Sequence, residues 1–258
     1  MPRTIVLVHG MFMTPSCWDM WVARYSAAGR GVIAVAWPGR DKPVEELRAS
    51  PDPNLGNLGL HQITEHVASA VVALREPPVL IGHSMGGLVV QLLLARGLGA
   101  AGAAIDSAPP TGVFTAQPSF VKSNWPMINP LKPLDEPHLI TIEEFSYAFA
   151  NTLSPEEQIA AWERYTVPES RLIPHESLGK AGHVDFHSEH PPLLLVAGGA
   201  DHIIPAALNR ANFKHYDASP SLTEYREYPG RDHLTITEPG WEQVADETLA
   251  WLDEHAES

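Results

Sequence analysis

Pro78-Val79-Leu80-Ile81-Gly82-His83-Ser84-Met85-Gly86-Gly87-Leu88-Val89-Val90-Gln91-Leu92-Leu93-Leu94 is the stretch whose reading decides the fold. Residues 78–81 read as a buried strand and residues 88–94 as a buried helix. The chain must reverse sharply between them, with Ser84 at the apex. Glycine at 82 and 86 removes the side chains that would clash where strand and helix approach each other. Gly-x-Ser-x-Gly in a strand-turn-helix context is the pattern of a nucleophile elbow, which lifts a serine hydroxyl clear of the sheet.

Outward from the elbow, short apolar runs alternate with longer helical patterns. Strands are expected at 5–8, 32–37, 79–82, 101–106, 193–197 and 223–228, and helices at about 18–28, 61–75, 85–96, 206–217 and 241–255. The strands lack polar alternation, as parallel strands covered on both faces do. Such alternation implies an α/β fold, a mainly parallel sheet of about six strands with right-handed crossovers and flanking helices. It breaks between 111 and 190, a stretch rich in proline and aromatics. Two hydroxyl N-caps with glutamate three residues on, at Thr141 and Ser154, start helices there. We therefore expect a core of residues 1–110 and 191–258, with a helical lid over 111–190 inserted before the last two strands. Residues 50–59 read as a polar loop.

A length of 258 residues suits one large α/β domain. Against 17 basic residues stand 31 acidic ones, for a formal charge of −14. That surface repels phosphate backbones and anionic headgroups, so neither nucleic acid nor membrane is expected as a partner. Cys17 is the single cysteine, and no run approaches the ~20 apolar residues of a membrane span. The chain also starts without the long apolar stretch of a secretory signal. These features together point to the cytoplasm. A homo-oligomer is compatible with the sequence.

A serine hydroxyl needs an adjacent base. Of thirteen histidines, His233 is the candidate, because it sits in the loop just after the last expected strand. An acid should orient that imidazole. Asp201 follows the strand at 193–197 through Gly198-Gly199-Ala200, and parallel strands place all such ends on one edge of the sheet. Asp106, which also ends a strand, is its rival, and Asp232 a weaker one. Two N–H donors should meet a developing oxyanion. Met85 should supply one, and Met11, in the loop after the first strand, the other, with Phe12 as second choice. His9 is expected to brace that loop.

These pieces resemble the α/β-hydrolase superfamily over nearly the whole chain: His9-Gly10, Gly82-His83-Ser84-Met85-Gly86, Gly198-Gly199-Ala200-Asp201 and the His233 loop, in that order. The early first strand resembles the compact branch containing plant methylesterases and hydroxynitrile lyases. Serine at the elbow departs from the aspartate of haloalkane dehalogenases and epoxide hydrolases. Leu234 stands where the similar hydroxynitrile lyases need lysine. The resemblance implies a serine esterase using Ser84, His233 and Asp201, with no cofactor and no metal. Its expected partner is a small, largely apolar carboxylic ester, cleaved through an acyl-enzyme. Lactone opening, thioester or amide cleavage and perhydrolysis share every part of that machinery, and a non-catalytic receptor would use the same pocket. Phe12, Met13, Trp125 and Phe149 are assigned to the pocket, with packing inside the lid as the competing reading for the last two. His183, His187 and His190 have spacing that could hold a metal, but lie in a polar join where a solvated loop is expected.

Overall fold

The computed structural model describes residues 2–256. Among them six strands form one parallel sheet: β1 (Ile5–Val8), β2 (Val32–Val35), β3 (Val79–His83), β4 (Ala101–Ile105), β5 (Leu193–Gly198) and β6 (Thr223–Tyr228). Their spatial order is β2-β1-β3-β4-β5-β6, and every pairing is parallel. The α/β architecture expected from the sequence is therefore the one observed. β1, β3, β4 and β5 are buried along their whole length, which explains their unbroken apolar character. Because all six point the same way, the loops after β1, β3, β4, β5 and β6 meet along one edge of the sheet.

The first four helices are α1 (Asp19–Ala27), α2 (Val44–Ala49), α3 (Leu60–Val72) and α4 (Met85–Leu94). Between β4 and β5 come α5 (Pro118–Ile128), α6 (Ile142–Ala148), α7 (Pro155–Tyr165) and α8 (Leu172–Ser177). The chain closes with α9 (Ala206–His215) and α10 (Trp241–His255). Three of these, α2, α5 and α8, carry no periodic signal strong enough to be expected. The loop expected over 50–59 includes a 3-10 turn at Leu55–Asn57.

Differences at element ends have local causes. β2 stops at Val35 rather than 37 because the Trp37 N–H is drawn off the ladder onto His9 Nε2, at 3.3 Å. α4 stops at Leu94 because Gly97, at φ +70°, reverses the chain and sends its own N–H back to the Leu94 carbonyl at 2.9 Å. Both expected capping boxes are present. Thr141 Oγ1 accepts from the Glu144 N–H at 3.2 Å, and Ser154 Oγ accepts from the Glu157 N–H at 3.4 Å, while each glutamate accepts from its cap's own N–H.

The elbow is where the packing is tightest. A side chain at Gly82 would put its Cβ 2.1 Å from the Gly86 carbonyl oxygen, and one at Gly86 would lie 2.3 Å from the Val8 carbonyl oxygen. Those neighbours are backbone and cannot swing aside. Gly82→Ala is accordingly expected to cost about 3 kcal/mol or more of folding stability, at the upper end of overpacking penalties. Urea denaturation measures it, and an unchanged midpoint would contradict this account of the elbow.

Candidate active site

Ser84 sits between β3 and α4 with φ 57° and ψ −121°, a left-handed strain that a non-glycine residue adopts only where its surroundings enforce it. Two backbone bonds enforce it here: the Ser84 N–H donates to the Ile105 carbonyl at 2.9 Å, and its carbonyl accepts from the Ala108 N–H at 3.0 Å. Ile105 ends β4, and Ala108 lies in the segment just after it. Gly10 completes the fit, because a Cβ there would lie 2.7 Å from the Ser84 Cβ. The serine is thus held at the sheet edge with its side chain against the loop after β1.

His233 arrives in the loop after β6 and is fully buried. Its Nδ1 lies 2.6 Å from Asp201 Oδ2. The other Asp201 oxygen accepts from the Ile203 and Ile204 N–H groups, each at 2.8 Å. The acid and histidine loops are stitched together directly, since the Ala200 N–H donates to the Arg231 carbonyl at 2.8 Å. The His233 carbonyl bonds the ring of His83, the residue before Ser84, at 2.8 Å. Phe149 packs edge-on to the His233 ring at 4.9 Å. His233 Nε2 has no hydrogen-bond partner, so the serine and the imidazole, though brought to one site, are not bonded to each other here. Such bonds commonly tighten only when substrate is bound.

Of the two rival acids, neither bonds the His233 ring. Asp106 follows β4 at φ 45° and gives Oδ1 to the Gly198 N–H at 2.6 Å, while its Oδ2 is buried without a partner. Asp232 accepts from the Leu234 N–H at 2.9 Å and from both the N–H and the hydroxyl of Thr152, at 3.0 and 2.8 Å. Its work is to tie the β4–β5 insertion to the histidine loop.

Burial dominates the titration of the site. It lowers His233 to about 3, against a raising influence from the Asp232 charge. It lowers His83 well below the usual imidazole range, helped by its neighbour His233, and it pushes the carboxyls of Asp106 and Asp201 up. For Asp201 the two backbone N–H groups pull the other way, because they stabilise the carboxylate. His9 is also buried and lowered to about 3. A neutral His9 with its proton on Nδ1 satisfies both of its bonds, donating to the Gly10 carbonyl at 2.8 Å and accepting the Trp37 N–H on Nε2. It braces the loop after β1, as expected.

In that loop the Phe12 N–H is occupied, donating to Glu169 Oε2 at 3.0 Å. The N–H groups of Met11 and Met85 have no acceptor among the described residues. Phe12 therefore drops out as an anion donor, and Met11 and Met85 are the two free amides flanking Ser84. Both line a cavity of about 40 Å³ that Ser84 shares with Phe12, Phe149 and side chains from the insertion, including Ser123, Met127 and His138. Two side chains assigned to the pocket lie elsewhere. Met13 is buried in the main core, and Trp125 is half-exposed on α5. Core packing claims the first, and the helix turns the second away from the cavity.

Residues 5–247 match the family model described as the alpha/beta hydrolase family. The chain belongs to the alpha/beta hydrolase family. A comparison with curated protein sequences gives no match. Similar solved structures include a pyrethroid hydrolase from Sphingobium faniae JZ-2, with TM-score 0.73 and 19% identity over 100% of both chains. An extracellular alpha/beta-hydrolase from a Paenibacillus species gives 0.69 and 21% over 96% of this chain and 98% of that one. Its description gives it structural and functional homology to tobacco salicylic acid binding protein 2. A mutant of tomato methylketone synthase I gives 0.70 and 16% over 99% of each. At these identities the likeness is one of fold.

Within this alpha/beta hydrolase, the one group of metal-ligating side chains among the described residues is His83, Asp106 and His233, with ligand atoms within 4.8 Å of one another. Each is held by a separate bond, His83 Nε2 to the His233 carbonyl, His233 Nδ1 to Asp201 and Asp106 Oδ1 from the Gly198 N–H, and each keeps one further nitrogen or oxygen unpartnered. The His183–His190 stretch forms no such group; His187 is exposed beside Asp185, and His190 bonds the Pro191 carbonyl. No helix among the described residues is long and apolar enough to cross a membrane. Ala108, Ile203 and Ile204 line the cavity from loops that follow β4 and β5, and their position at strand ends is a signal that could have found them. His138, Met127 and Glu169 carry no comparable signal, because nothing local to the insertion says which of its faces meets the core.

Proposed function

We propose that this alpha/beta hydrolase is a serine carboxylic-ester hydrolase working through an acyl-enzyme. The observation that carries the reading is the buried 2.6 Å bond from His233 Nδ1 to Asp201, which leaves Nε2 unpartnered on a ring packed against His83, the residue before the strained serine. In this reading His233 Nε2 takes the Ser84 proton as Oγ attacks the ester carbonyl. Asp201 fixes the tautomer with the proton on Nδ1 and stabilises the imidazolium that forms. The Met11 and Met85 amides receive the oxyanion, Met85 from the N-terminus of α4 where the helix dipole also favours negative charge. Collapse returns the proton from Nε2 to the departing alkoxide. Water, activated by the same nitrogen, then releases the carboxylic acid and regenerates Ser84. The insertion acts as a lid, and a free, buried Cys17 suits a reducing cytoplasm.

A cavity of about 40 Å³ lined by Met11, Phe12, Met127 and Phe149 supports a small apolar acyl group. Methionines can shift to admit substrate, though only by a few methylenes. On a panel of p-nitrophenyl esters, acetate or butyrate is expected to exceed octanoate by roughly tenfold or more in kcat/KM. A fluorophosphonate should label Ser84 and no other serine, as read by peptide mass spectrometry. Absence of both labelling and turnover would overturn the proposal.

The pH profile gives a further test. The base must be neutral to act, so the rate falls as pH drops through the His233 pKa. Burial lowers that pKa to about 3. An ordinary imidazole would place the half-maximum near ~6.5. Here kcat/KM is expected to hold level down to about pH 5.5, with its acid limb below that. A half-maximum at or above the ordinary value would mean that the Asp201 charge outweighs burial at His233.

A further inference from the structure

The insertion does more than cover the cavity: it bonds to three of the four loops that bear the proposed chemistry, those after β1, β5 and β6. Thr152 donates to Asp232 beside His233, and Asn151 Nδ2 donates to the Ala200 carbonyl beside Asp201, at 3.0 Å. Two further attachments are on the loop after β1. Phe12 stands at φ 63°, a left-handed conformation that a bulky residue does not hold unaided. Residues of the insertion grip its peptide groups from both sides. The Val167 N–H donates to the Phe12 carbonyl at 2.9 Å, and the Phe12 N–H donates to Glu169 Oε2 at 3.0 Å.

Glu169 is itself immobilised. Its backbone exchanges two hydrogen bonds with His138, both at 2.8 Å, and His138 lines the cavity. Its Oε1 accepts from Arg40 Nη2 at 2.6 Å and from the Ser170 N–H at 2.9 Å. The same Arg40 nitrogen reaches the Pro168 carbonyl at 2.6 Å. The Arg40–Glu169 pair is almost wholly shielded from water, with side-chain exposures of 2% and 0%. A buried pair of this kind is weak evidence for stability and better read as fixing a geometry. What it fixes here is the peptide immediately after Met11.

We infer that Glu169, held by Arg40, is a positioning residue for the oxyanion hole: by capturing the Phe12 N–H it locks the left-handed turn that leaves the Met11 N–H free and aimed beside Ser84. This rests on the serine-hydrolase reading above. It also makes hole formation conditional on the docked insertion. When the segment around 167–169 lifts, the Phe12 strain has nothing to hold it and the Met11 donor is lost. An insertion that merely covered the cavity would have no such effect on the core.

The test compares three variants with wild type. Glu169→Gln removes the charge and weakens the acceptor. The double change Arg40→Met with Glu169→Leu removes the ion pair as a unit, so that no bare charge remains to unfold the protein. Arg48→Ala serves as the control, because Arg48 bonds the Thr166, Trp162 and Glu163 carbonyls, so its loss frees the end of α7 while the Arg40–Glu169 pair and the Glu169–Phe12 bond stay in place. Two readouts are taken: amide hydrogen exchange over residues 10–13, and kcat and KM for a p-nitrophenyl ester. Both Glu169 variants are expected to speed exchange in that segment by about tenfold. They should also lower kcat by roughly 30-fold, short of the ~10²–10³ that outright loss of an oxyanion donor costs because the Met11 amide is misaimed and not removed, with KM within about threefold. Arg48→Ala should leave the segment's exchange and kcat near wild type even if its Tm falls. Unchanged exchange over 10–13 in the folded double variant overturns the inference, and so does an equal loss of kcat in Arg48→Ala. If wild type neither turns over esters nor reacts with a fluorophosphonate, the serine-hydrolase reading fails instead. The exchange measurement then decides by itself whether Glu169 positions the loop.

Discussion

Ser84→Ala is expected to reduce kcat/KM for ester hydrolysis by roughly five to six orders of magnitude while leaving Tm within a few degrees of wild type. The size follows from the role proposed for the hydroxyl. Removing the nucleophile leaves only binding and the oxyanion donors, which by themselves accelerate reaction over water by about 10³–10⁴. The small effect on stability follows from the contacts. The Ser84 side chain makes no hydrogen bond among the described residues, and the strained backbone is held by the Ile105 carbonyl and the Ala108 N–H, both of which alanine keeps. Alanine also fits the space left by Gly10, since Cβ is the atom that approaches it. Activity should therefore vanish from a protein that is otherwise intact, as thermal denaturation and ester turnover on the same preparation would show. Turnover within tenfold of wild type would remove Ser84 from the mechanism. Loss of folding would instead mean that the hydroxyl had a structural partner that appears nowhere in the geometry.

How much of this could be read beforehand differs sharply between core and insertion. The strands and the elbow were legible because sheet topology makes local sequence informative. A run such as Val79-Leu80-Ile81 has to be buried on both faces, and in a parallel sheet its end has to lie at the common edge. Ser84, Asp201 and His233 could be assembled from strand order for that reason. His9 could be read as a brace because it sits where β1 ends. Residues 111–190 obey no such rule. The capping boxes at Thr141 and Ser154 mark where two helices begin, yet nothing in them says which side faces the core. Trp125 and Phe149 look equally apt for a pocket, but the first is half-exposed and the second touches His233. Glu169, in Pro168-Glu169-Ser170, reads as an ordinary solvated charge. Its burial depends on Arg40, which lies after β2 and far away in sequence. Asp232 is a third case. In sequence it stands as a weaker rival for the acid that orients His233, yet its carboxylate accepts three bonds, two of them from Thr152 and none from the imidazole ring.

Two acidic residues at neighbouring strand ends supply the second large prediction, because they look interchangeable in sequence and are not in space. Asp201→Asn is expected to lower kcat by about 10³–10⁴, the scale set by an amide that cannot hold the imidazole in the right tautomer. Asp106→Asn should change it by less than about fivefold, since a neutral side chain there is close to what the site already contains. What separates the two residues is which carboxyl keeps the charge. Burial raises both, and the Asp201 charge raises Asp106 further, so Asp201 ionises first. Asp201 has three donors to stabilise a carboxylate: Ile203 N–H, Ile204 N–H and His233 Nδ1–H. Asp106 has less: the Gly198 N–H on Oδ1 and the influence of the Thr235 hydroxyl, while Oδ2 is buried without a hydrogen-bond partner. The charge therefore settles on Asp201 and the proton on Asp106. Asparagine at 106 keeps an acceptor for Gly198 and adds no charge, whereas asparagine at 201 presents either an N–H against the His233 N–H or an oxygen without charge. Steady-state kinetics on both variants, with thermal denaturation as the check on folding, decides between them. A larger loss from Asp106→Asn than from Asp201→Asn would transfer the orienting role to the acid after β4, and His233 would then have to rotate away from its 2.6 Å bond before it could act.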